Sequence, residues 1–355
     1  MISERISLKK SKYGYYLIIL AAALSALIHV ISKPMLENSE NMLEINPIVL
    51  AFLIYFIAGI FFTPVAKKTH SISKFGKKDW TFMGLIGIAE VSALITYFYG
   101  LSTASAVNAS IFSNSEIIFA LVIAMLVFKE RLRIKESIPF TMIIIGMMVI
   151  PVGNDLLQNN FNLGHLVTGD LLIILSGVLY AVDITLCKYI GDRFDTKRVT
   201  QVLSFISAGV AISLIAAFQI PMNVDLAQLP GIITLSVFGT GLSTLFFLVA
   251  LKIIGTVRTV LLYSTTAVFG VIFSGLFLSE TIGTTDILSL ALVFTGIFLL
   301  RNKLAGKEDE DENNAITPNS TPKRKSGKHV RQMQKISFEK RVKNEIALQG
   351  WISAG

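Results

Sequence analysis

Residues 105–128 read SAVNASIFSNSEIIFALVIAMLVF, an apolar run of membrane-spanning length with Glu116 near its middle. About 20 mostly apolar residues are what a helix needs to cross the hydrocarbon of a bilayer. The whole chain has the same character. Of its 355 residues, 53% are hydrophobic and 16% charged, and the mean hydropathy is +0.65. A soluble domain carries roughly one quarter charged residues, and disorder requires low hydrophobicity, so neither class fits most of the length. The lone Cys187 excludes a disulfide framework and a cysteine-based zinc site. A polytopic membrane protein remains.

Outward from this run, apolar stretches predict ten spans, at about 13–32, 46–66, 79–101, 105–128, 137–153, 168–188, 199–220, 229–251, 256–278 and 285–301. In lipid the backbone must satisfy itself, which selects helices, and the alternation of a membrane β-barrel is absent. The prolines before residue 302, namely Pro34, Pro47, Pro64, Pro139, Pro151, Pro221 and Pro230, fall at or near span ends. The first span runs into Lys33-Pro34 without a small-x-small cleavage site, so it reads as a retained helix and not a signal peptide. Beyond Arg301 the composition changes to an acidic run, Glu308–Glu312, then to polar and basic residues, which reads as a mostly disordered tail.

Basic residues mark every second connection. Arg5, Lys9, Lys10 and Lys12 precede the first span, and Lys67, Lys68, Lys74, Lys77 and Lys78 fill the second loop. Lys129, Arg131, Arg133 and Lys135 fill the fourth, and Lys188, Arg193, Lys197 and Arg198 the sixth. The positive-inside rule then places both termini in the cytoplasm of a multi-pass protein of the cell membrane. The net charge of +8 therefore marks one membrane face and the tail, and a nucleic-acid partner is not expected.

The two halves resemble each other. At a shift of 155, Gly14 pairs with Gly169, Ala26 with Ala181 and Lys33 with Lys188; at a shift of 150, Leu101 pairs with Leu251, Glu130 with Glu280 and Gly146 with Gly296. Five helices per copy is an odd number, so the second copy lies inverted, and the basic loops of the first copy lose their positive charge in the second. Such repeats build alternating-access carriers with a site near the membrane midplane. Two five-helix repeats, each closing its fourth helix with an apolar run into Glu (Phe128-Lys-Glu130-Arg-Leu and Leu278-Ser-Glu280-Thr-Ile), resemble the EamA-type transporters of the drug/metabolite transporter superfamily. Where such transporters often place Pro after a fourth-helix Glu, this chain has Ile117 after Glu116. The resemblance implies a ten-helix secondary carrier, often an exporter of amino acids or other small metabolites, frequently coupled to an ion gradient. The organisation expected is a cytoplasmic segment at 1–12, a first repeat at 13–153, an external loop at 154–167, a second repeat at 168–301 and a cytoplasmic tail at 302–355.

Ionisable groups within spans usually face the bundle interior. Glu90 and Glu116 lie midway along neighbouring antiparallel spans and are the expected substrate-binding or coupling acids. His29 and Asp183 lie nearer span ends as gate or relay groups. Asn108, Ser115 and Phe112 share a polar and aromatic stripe with Glu116, and Tyr97 and Tyr99 read as interface aromatics. Glu130 and Glu280 carry the repeat motif at helix ends. Neither an ATP-binding loop nor a zinc-protease or hydrolase motif is present in the sequence. The expectation is a carrier, not an enzyme, without cofactor or metal, whose partners are a small solute, lipid, a coupled proton or sodium ion, and a second copy in a homodimer. An importer of the same fold, or a scaffold acting through its tail, are the alternatives.

Overall fold

The computed structural model describes residues 2–37, 44–66, 76–128, 138–139, 141–146, 149, 168–190, 194–254 and 256–299. The expected tail, the external loop 154–167, Glu130 and about half of the fifth span lie outside them. Every regular element among the described residues is helical. In chain order these are α1 (Ile2–Leu36), α2 (Pro47–Ala66), α3 (Lys77–Leu101), α4 (Ala106–Phe112) and α5 (Ser115–Phe128). They continue with α6 (Thr168–Ile190), α7 (Thr196–Phe218), α8 (Leu226–Ile254), α9 (Thr256–Tyr263), α10 (Thr266–Phe277) and α11 (Thr284–Leu299). Six of them, α1 from Tyr13, α2, α3, α6 to Cys187, α7 and α8, are long and apolar enough to cross a membrane.

Two expected spans are not continuous. The run 105–128 breaks at Ser113–Asn114 into α4 and α5, and the run 256–278 breaks at Ser264–Thr265 into α9 and α10. The cause is local. Ser113 Oγ donates to Ser110 O at 2.8 Å and Asn114 Nδ2 to Ile111 O at 3.3 Å. Thr265 Oγ1 donates to Leu262 O at 2.7 Å and Thr266 Oγ1 to Tyr263 O at 2.6 Å. Short polar side chains thus compete for carbonyls that would carry the helix ladder. The main chain tightens to bonds three residues apart, Asn114 N to Ile111 O and Glu116 N to Ser113 O on one side, Thr265 N to Leu262 O and Ala267 N to Ser264 O on the other. Within α8, Leu235–Leu242 forms a π-helical stretch, wound around Gly239 and Gly241, which opens the ladder in the middle of the helix.

The packing repeats between the halves. α3 lies against α6 as α8 lies against α1; α5 lies against α6 as α10 lies against α1; α3 touches α7 as α8 touches α2. Gly146 and Gly296 show the closest case. A Cβ on Gly146 would sit 2.9 Å from Val293 N, and one on Gly296 would sit 3.1 Å from Ile143 N, so two backbones meet through residues that occupy the same repeat positions.

Charged side chains close the helix ends. Lys33 Nζ donates to Leu101 O at 2.9 Å at the end of α3 and pairs with Glu37 at 2.5 Å. Arg198 donates to Ala66 O at 2.9 Å at the end of α2 and to Gln201 Oε1 at 2.6 Å, and Gln201 reaches Thr63 Oγ1 at 2.9 Å. Large apolar side chains face outward along the bundle, among them Leu20, Ile60, Ile88, Leu171, Phe218, Leu276 and Phe294. An apolar belt of this extent suits hydrocarbon and not water.

Candidate functional site

α1, α2, α3, α6, α8 and the two helix breaks enclose a cavity of about 130 Å³. Glu90, Glu116, His29 and Asp183, the four ionisable residues singled out within the spans, all line it. Among the described residues that line it there is no Lys or Arg.

Each polar group is placed by a specific local arrangement. Glu90, midway along α3, accepts from Ser207 Oγ of α7 at 3.3 Å and hydrogen-bonds with Tyr55 of α2. Glu116 enters through the break, in the first turn of α5, and among the described residues no side chain donates a hydrogen bond to its carboxylate. Asp183 on α6 accepts from Cys187 Sγ at 3.6 Å, one helical turn on. His29 Nδ1 is hydrogen-bonded to Tyr97 OH, with the two rings edge-on and 5.5 Å apart. Tyr263 donates to Ser25 Oγ at 2.7 Å and stacks edge-on with Phe247, 5.0 Å away. Two buried polar atoms on the lining have no partner among the described residues: His29 Nε2 and Thr240 Oγ1.

Other expected residues fall elsewhere. Phe112 is wholly buried in the apolar core, Ser115 donates to Ile174 O at 3.3 Å, and Asn108 lies near the start of α4; none of the three lines the cavity. Tyr97 and Tyr99 separate. Tyr99 is 38% exposed, as an interface aromatic should be, but Tyr97 is 3% exposed and turned onto His29. Glu280 is a helix cap. Its two carboxylate oxygens accept from Ala106 N and Val107 N, each at 2.9 Å, at the start of α4 in the opposite half.

The lining also includes residues the sequence did not single out, chiefly Tyr55, Tyr180, Tyr263, Asn114, Ser25 and Thr240. A signal for several of them was present in the repeat register. At the shift of 155, Ser25 pairs with Tyr180, Ile28 with Asp183 and His29 with Ile184; at 150, Glu90 pairs with Thr240, Tyr97 with Phe247 and Glu116 with Thr266. Every residue in these pairs lines the cavity.

The EamA-like transporter family matches residues 12–151 and 167–302. A protein of Methanothermobacter thermautotrophicus named an uncharacterized transporter is 26% identical over 302 residues, covering 81% of this chain and 86% of that one. A crystal structure of a protein 15% identical superposes with a TM-score of 0.57, covering 82% of this chain and 96% of that one, and so shares the fold. With both halves matched, the chain belongs to the EamA-like transporter family and is a multi-pass membrane transporter.

Proposed function

We propose that the chain is a secondary-active exporter of small metabolites, such as amino acids or related compounds, residing in the cell membrane with both termini cytoplasmic. Ten helices form two inverted five-helix repeats, and the solute binds between them at the midplane. One observation carries this reading: a single cavity lies where both fourth-position helices break, and its lining draws on the same positions of both repeats. Helix discontinuities at corresponding places are the mark of a carrier site. A smaller cavity lined by Ile86, Thr196, Val199 and Lys252 shares Cys187, Leu203 and Leu248 with the first. It extends the site toward the end where α6 and α8 finish and α7 begins, which in this topology is the cytoplasmic side. On the other side, Glu280 on α4 ties the two halves shut, and Lys33 on Leu101 O ties α1 to α3 within the first half.

Glu116 is the coupling group in this mechanism. Its carboxylate faces the cavity without a side-chain hydrogen bond, so it can hold either a proton or the ammonium of a solute. Occupation by one excludes the other, and alternating access then exchanges them across the membrane. Glu116→Gln keeps the shape and removes the titration. In proteoliposomes holding the full chain, a proton gradient should drive solute flux through the wild type, and Glu116→Gln should lose gradient-driven flux while inserting and folding normally. Flux of Glu116→Gln with wild-type pH dependence would make the acid structural.

A further inference from the structure

We propose that the cavity takes a small organic ammonium ion that carries no carboxylate or phosphate. Its charge is met by Glu90, Glu116 and Asp183, and a neutral hydrogen-bonding group on it is met by His29 and Thr240. The inference rests on the transporter reading, keeps small metabolites as the solute, and within them selects amines in place of amino acids.

The charge balance comes first. Three carboxylates line the space, and Asp183 lies close enough to Glu90 and to Glu116 to interact with each electrostatically. A buried charge is tolerated when an opposite charge meets it; the described lining of this cavity offers no Lys or Arg to do so, and Lys252 of the smaller cavity donates to Phe194 O at 2.7 Å. A solute with its own carboxylate would add a fourth negative group there. Free main-chain N–H groups at the helix breaks could have received an anion. Most are occupied: Asn114, Glu116, Ile117, Thr265, Ala267 and Val268 donate to carbonyls of their own turns, which leaves Ser115 N and Thr266 N as one such group at each break.

A second, independent feature points to a ligand. Among the described residues His29 Nε2 and Thr240 Oγ1 are buried without a partner, on residues 5% and 7% exposed. Such groups are rarely left orphaned, and these two come from α1 and α8, on opposite repeats. A hydroxyl or a second neutral polar group on the solute completes them. Between the polar groups the wall is aromatic, with Tyr55, Tyr180, Tyr263 and Phe247. Tyrosine and phenylalanine rings attract ammonium ions through their negative faces. The size also restricts the ligand: about 130 Å³ is well below the roughly 300–1,000 Å³ of a drug-sized pocket.

The test uses three amines and their amino-acid counterparts, which differ only by a carboxylate: ethanolamine and serine, butylamine and norvaline, phenethylamine and phenylalanine. Binding to the purified full chain is measured directly and by the rise in unfolding temperature, since a ligand of the native state stabilises it. At least one amine should bind about tenfold or more tightly than its partner, because a carboxylate would be buried unpaired. Asp183→Asn should weaken that amine by about tenfold, the loss of one charge partner. If an amino acid binds as well as its amine, or no amine binds, the inference is overturned; if Asp183→Asn does not fold, the wild-type pairs alone decide it. Proteoliposome flux separates the two levels. Flux of an amino acid without amine binding overturns the solute class and leaves the transporter reading standing, whereas absence of flux for every probe overturns both.

Discussion

At the residue scale, the cavity sets satisfied polar groups beside unsatisfied ones, and the two kinds respond to mutation with opposite sign. Tyr97 OH is the partner of buried His29 Nδ1. Tyr97→Phe keeps the ring and leaves a buried ring nitrogen without a partner, a loss of about 1–3 kcal/mol. A lowered midpoint in denaturant or heat unfolding of the purified protein checks it. Thr240 Oγ1 has no partner to lose. Thr240→Val removes an orphaned hydroxyl at nearly constant volume, so unfolding should shift upward or stay unchanged while solute affinity falls. A destabilised Thr240→Val would show that its hydroxyl is bonded in the native state. Among these residues Glu90, Glu116, His29 and Asp183 were legible in the sequence because an ionisable group in an apolar run stands out. Tyr55 and Tyr263 were not, because a tyrosine in a span reads equally as an interface residue until its burial is known.

At the scale of elements, the informative feature is the pair of breaks. Residues 105–128 and 256–278 read as uninterrupted spans because hydropathy averages over Ser, Asn and Thr. What interrupts them is the competition of those short side chains for backbone carbonyls. Glu280 stabilises the shorter piece, α4, across the two halves. Its removal in Glu280→Ala frees Ala106 N and Val107 N, a capping loss of about 0.5–2 kcal/mol. The unfolding midpoint should fall, and Glu280→Gln, which keeps one acceptor oxygen, should lie between the two. The helix crossing at Gly146 and Gly296 is tighter still. A Cβ on Gly296 would meet Pro139 O at 2.8 Å, so Gly296→Val should cost about 1–3 kcal/mol through overpacking, read in the same unfolding measurement. An unchanged midpoint would mean that the two backbones can separate.

At the scale of the molecule, the proposed inverted repeat predicts a topology. In a Cys187→Ser background, a cysteine placed near Asn159 should react with an impermeant label added outside, and one near Lys74 should not. The opposite pattern would reverse the orientation. After Arg301 the composition turns from apolar to charged and polar. A chain ending at Lys307 should insert and transport as the full chain does. Loss of flux with normal insertion would favour recruitment of partners through the tail.

The sequence by itself determined that this is a helical membrane protein, because a run such as 47–66 can hide its backbone only as a helix in lipid. It also pointed to a duplication, since paired glycines and glutamates at one shift survive where apolar residues have exchanged freely. Only the tertiary structure decided which polar residues share a space. Glu90 and Asp183 are distant in sequence and belong to different repeats, yet α3 lies along α6 over much of its length and carries both to one cavity. Phe112, close to Glu116 in the chain, turns the other way into the core. The reason is geometric: a two-residue break rotates one helix segment against the next, so position along the sequence stops reporting which way a side chain faces.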